Sequence, residues 1–126
     1  MNQGYINQKY NNFTNENLYD MSARFVDKLL NSEHKELATI FTRVITNKEA
    51  HIKKVASLWQ DIYIKKIKDK RESERHAHHT NISIGLMNAW LEEFQASANE
   101  VFDEKHSNII VTRAKKIAED THMLKE

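Results

Sequence analysis

The chain of 126 residues has no cysteine and no proline, and its only glycines are Gly4 and Gly85. Without cysteine there is no disulfide, no thiolate nucleophile and no Cys-ligated zinc. Sheet-rich folds need turn residues every few positions, so a chain almost without proline and glycine leans helical. No apolar run approaches the roughly 20 residues that a membrane-spanning helix needs. An excess of one charge is also missing. Nineteen basic residues stand against 18 acidic ones, and a pI near 8.0 does not mark a nucleic-acid-binding protein. The opening Met1-Asn2-Gln3-Gly4-Tyr5 lacks the charged-then-apolar plan of a signal peptide. The expectation is a cytoplasmic protein with no membrane and no nucleic-acid partner. There is no His-Glu-x-x-His pair, no Gly-rich phosphate loop and no nucleophile elbow.

What the chain does have is helical periodicity. Residues 1–16 are rich in Asn and Gln and read as a flexible N-terminal arm. From Leu18 the apolar residues Met21, Phe25, Val26, Leu29 and Leu30 recur on one face, with Thr14 or Asn17 as candidate caps. Asn31-Ser32 interrupts the pattern, and Ser32 is a candidate cap for a shorter helix bearing Leu37, Ile40, Phe41, Val44 and Ile45. Thr46 and Glu49 have capping-box spacing and predict the start of a long helix reaching about Lys68, with Val55, Leu58, Trp59, Ile62 and Ile67 inward. The stretch KDKRESERHAHHT, Lys68 to Thr80, has no large apolar residue and reads as a loop. Periodicity returns at Ile84 with Met87, Trp90, Leu91, Phe94, Val101 and Phe102. A last helix is expected after Ser107, with Ile110, Ala114, Ile117 and Met123. The reading is all-α, with about five helices, three of them long.

Three features carry potential chemistry. His51 lies within roughly 40° of Val55, Leu58 and Ile62 on a helical wheel. It is either a hydrogen-bonded core histidine or a histidine facing a ligand cavity. His76, His78 and His79 fall within four positions, and neutral imidazole is a good ligand for iron, zinc, copper or nickel. The same run also reads as a solvated loop. Trp59 and Trp90 lie on apolar stripes, where packing is the ordinary role, although an indole N–H in a pocket can donate to a ligand. Their order suits a haem pocket: an inward His opens one long helix, a His-bearing loop follows, and an inward Trp lies early in the next helix.

With these residues in place, the chain resembles the truncated haemoglobins, group III. The resemblance rests on Phe25-Val26-Asp27-Lys28, on Leu37-Ala38-Thr39-Ile40-Phe41, and on His51 followed eight residues later by Trp59. It rests most on His76 followed fourteen residues later by Trp90-Leu91-Glu92-Glu93-Phe94. The segment Ile110-Val111-Thr112-Arg113-Ala114-Lys115-Lys116-Ile117-Ala118 is similar to the family's last helix. The likeness covers about residues 13–122. It implies a globin-like two-on-two helical sandwich over residues 17–126 and a b-type haem. In that fold His76 would be the proximal iron ligand and so the metal-binding residue, with His78 and His79 as rivals. His51 and Trp90 would lie on the distal side, and Phe25, Phe41, Val55 and Trp59 would form pocket wall. Val26 falls where the family has a distal Tyr, so this chain lacks that donor. The family's proline residues after the proximal His are replaced by His79-Thr80-Asn81-Ile82.

The function implied is binding of a diatomic ligand, O₂, NO or CO, at haem iron. NO or peroxide chemistry is implied only by the resemblance and would draw on an external reductase. Two rival expectations come from other classes: a globin-like helical scaffold without haem, used for protein contacts, and a small bundle binding a metal through His76, His78 and His79.

Overall fold

The computed structural model describes residues 9–66 and 84–120. Over these residues the chain is all-helical, with no strand and one isolated parallel bridge between Tyr10 and Phe102. The five helices are α1 (Asn15–Leu30), α2 (Lys35–Val44), α3 (Lys48–Tyr63), α4 (Ile84–Val101) and α5 (Glu104–Asp120). Four are long and one is short, against three long ones expected. None of the described helices is long and apolar enough to cross a membrane.

Side-chain caps set the starts of α1, α3 and α5, and they move several expected boundaries. At α1 the Thr14 hydroxyl accepts from the Asn17 N–H (3.1 Å), while the Asn17 side-chain oxygen accepts from the Thr14 N–H (2.8 Å). This reciprocal box satisfies two orphan donors and starts the helix at Asn15, three residues before Leu18. Of the expected arm, residues 1–8 lie outside the described residues and residues 9–16 are structured. Ser32 does not cap α2. His34 stands at the cap position with no side-chain cap bond, and the Ser32 hydroxyl accepts from the His34 N–H (3.0 Å) and donates to Glu93 (2.5 Å).

At α3 the expected Thr46–Glu49 box is replaced by Asn47, whose oxygen accepts from the Ala50 N–H at 3.0 Å. Glu49 is occupied elsewhere, accepting from the Tyr19 hydroxyl at 2.5 Å. The helix ends at Tyr63 rather than near Lys68. The Ile64 and Lys65 N–H groups both donate to the Gln60 carbonyl (2.9 Å each), and Lys66 turns to φ 55°. This left-handed backbone interrupts the helical path. Ile67 and Met123 lie outside the described residues. Helix α5 starts at Glu104, not after Ser107. The Asp103 carboxylate accepts from the His106 N–H (2.9 Å), and Ser107, itself buried, donates to Asn99.

Helix α1 is the centre of the packing. It lies against α3 and α4, α4 lies against α5, and α2 covers parts of α1 and α4. The inward stripe of α1, from Leu18 through Met21, Phe25 and Val26 to Leu29, is at most 3% exposed. It meets Met87, Phe94 and Ala98 of α4 in one hydrophobic cluster. Burial of this area, not helix propensity, supplies most of the stability. At the surface Arg24 and Lys28 of α1 both reach Glu100 of α4 (3.1 and 2.8 Å). These exposed pairs contribute about 0–1 kcal/mol each and mainly set register.

Candidate functional site

The residues singled out in the sequence come from four helices. Helix α1 supplies Phe25 (3% exposed) and Val26 (0%), α2 supplies Phe41 (4%), and α3 supplies Trp59 (2%). Val55 of α3 and Trp90 of α4 are half-buried against the same cluster. The half-buried His51 opens the α3 stripe that runs inward through Val55 to Trp59, as its four-residue spacing requires.

Phe94 of α4 joins these side chains. Its ring centroid lies 5.1 Å from Phe25, 5.3 Å from Trp59 and 6.0 Å from Trp90. Phe25 also stands edge-on to Trp90 at 5.2 Å and 86°. The edge-to-face and near-parallel contacts are those the ring quadrupoles favour. Sequence reasoning gave Phe94 to the core and not to the site. The signal was available, because Phe94 follows Trp90 by one helical turn and so shares its face. The result is a continuous aromatic wall across α1, α3 and α4, closed toward Phe94 and partly open at Trp90, Val55 and His51.

The first turn of α3, which carries His51, is tied to α1 twice. Tyr19 donates to Glu49 (2.5 Å), and Lys48 pairs with Asp27. The bond to Glu49 holds the Tyr19 phenol above its usual range. His76, His78 and His79 lie outside the described residues, and so does the expected iron-ligand position. Among the described residues no group of His, Asp and Glu is arranged to hold a metal ion.

A polar cleft of about 550 Å³ lies elsewhere, between the end of α1, the turn into α2, and α4. Three of its four carboxylates have partners: Asp27 with Lys48, Glu92 with His34 (3.1 Å) and Glu93 with Ser32 (2.5 Å). The aromatic wall, which gathers most of the residues singled out in the sequence, is the candidate site. Phe25, Trp59 and Phe94 are at most 3% exposed and packed on one another, and the half-buried Trp90 and Val55 are its accessible part. The chain matches no protein-family model, no curated protein and no solved structure.

Proposed function

We propose that the chain is a haem-binding globin of the two-on-two type that takes a diatomic ligand at the haem iron. The observation that carries this reading is the wall of Phe25, Trp59, Trp90 and Phe94, flanked by the half-buried stripe from His51 to Val55. The pairing of α1 with α3 and of α4 with α5 is also what a two-on-two sandwich requires. Bound haem would supply an iron centre with one open side. In this reading His76 holds the iron, and Phe25, Phe41, Val55 and Trp59 keep water from the porphyrin. Val26 has no donor, so Trp90 Nε1–H and His51 are the groups left to donate to a polar ligand. A neutral hydrogen bond of this kind contributes on the order of 1 kcal/mol. Turnover of NO or peroxide would take electrons from an external reductase.

The test is a hemin titration of the purified chain. A saturable Soret shift at one haem per chain is expected. A spectrum that stays that of free hemin rejects the proposal. The rival reading, a helical scaffold for protein contacts without haem, has one observation in its favour: Phe25, Val26, Trp59 and Phe94 are already at most 3% exposed.

A further inference from the structure

Phe13, in the stretch read from sequence as an arm, sits among three rings. It stacks on Tyr63 at a centroid distance of 4.3 Å and meets Phe102 (5.1 Å) and His106 (5.3 Å) edge-on. Tyr63 is the last residue of α3, whereas Phe102 and His106 flank the start of α5. Three residues earlier, the Tyr10 N–H donates to the Val101 carbonyl (3.0 Å) and the Asp103 N–H donates to the Tyr10 carbonyl (2.9 Å). Gln60, in the last turn of α3, donates to the Asn15 carbonyl at 3.2 Å. The backbones of α3 and α5 hardly approach each other. Phe13 therefore bridges two helices whose backbones hardly approach each other.

The same segment is weakly held on its outer side. Lys9, Tyr10, Asn11 and Asn12 are exposed, Tyr10 by 53%. Exposed segments with few backbone bonds open at low free energy, while the α1–α4 interior opens only with the whole fold.

We propose that residues 9–14 are a strap, pinned by Phe13, that fixes the last turn of α3 to the α4–α5 corner and can release that turn without unfolding the core. The chain passes from that turn into the segment containing His76.

The test needs no haem. Amide hydrogen exchange is measured on the full chain and on its Phe13→Ala and Phe13→Leu variants. Phe13→Ala is expected to speed exchange at residues 60–66 by about tenfold or more, with amides around Phe25 and Phe94 unchanged. Phe13→Leu should fall between. A second readout is the Tyr63 phenol, pushed up to about 12 by burial. It should move back toward the ordinary 10.0 in Phe13→Ala as water reaches it. Unchanged protection at residues 60–66 in a folded variant overturns the proposal. So does an equal acceleration throughout α1 and α4, which would make Phe13 an ordinary core residue. If Phe13→Ala does not fold, Phe13→Leu decides by the same comparison, and failure of both to fold also overturns the strap.

Discussion

Phe94→Ala is expected to destabilise the protein by about 3–5 kcal/mol, the range for removing a fully buried phenylalanine. Phe94 is 0% exposed and touches rings from α1, α3 and its own helix. Two losses add. The alanine variant has no ring to bury on folding, so the ring's transfer contribution disappears. Phe25, Trp59 and Trp90 also lose partner atoms on one side, because helices fixed by their own caps close only part of the gap. Urea unfolding followed by tryptophan fluorescence reads the effect directly, since both tryptophans contact this ring. Ile109→Ala, at a position 40% exposed, is the control and should change stability by less than about 1 kcal/mol. A Phe94→Ala loss near the control value would mean that the wall is not the structural centre described above.

His76→Ala is expected to abolish stable haem binding under the proposed function. Losing a residue that merely orients a metal ligand costs roughly 10–100-fold in affinity, and losing the ligand itself should exceed that. The choice of His76 rests on its fourteen-residue spacing to Trp90. Added imidazole should restore part of the Soret band by filling the empty coordination position. Hemin titrations of His76→Ala, His78→Ala and His79→Ala, run side by side, decide the register. Loss on His78→Ala or His79→Ala alone would move the ligand by two or three positions. Unchanged binding in all three would remove residues 76–79 from the haem site.

The inward stripes of α1, α2 and α4 were legible because burial imposes a period of 3.6 and nothing in those segments competes with it. The starts were less legible. At α1 Thr14, one of the two candidate caps, is the cap, while the reciprocal bond went unread because Asn17 stands where the common pattern has Glu or Gln. Thr46 and Glu49 showed that signature, but a tyrosine hydroxyl on another helix had claimed the glutamate. The last helix was expected after Ser107, which instead lies buried inside it and bonded to Asn99, with Asp103 performing the capping. At Glu49 and Ser107 a contact with another helix overrode the local rule. The aromatic wall was half legible: Phe25, Trp59 and Trp90 were named, while Phe94, which joins them, was assigned to packing alone. Phe13 had no periodic partner in sequence, so nothing local could signal its place between α3 and α5.

The caps also differ in kind, with a consequence for acid. Thr14, Asn17 and Asn47 hold the starts of α1 and α3 with neutral side chains, so protons do not weaken them. The start of α5 depends on the Asp103 carboxylate. The His106 backbone N–H, and then its side chain, hold that carboxyl below its ordinary 3.8. A depressed carboxyl stabilises the fold above its unfolded-state value, and this contribution is lost as pH falls through the native one. Acidification should therefore weaken the start of α5 before the starts of α1 and α3. The Asp103 N–H also holds the Tyr10 carbonyl, so the strap's anchor should loosen with it. Below pH 4, amides of residues 103–107 should exchange before those of residues 17–20, and equal rates at the two helix starts would refute this order.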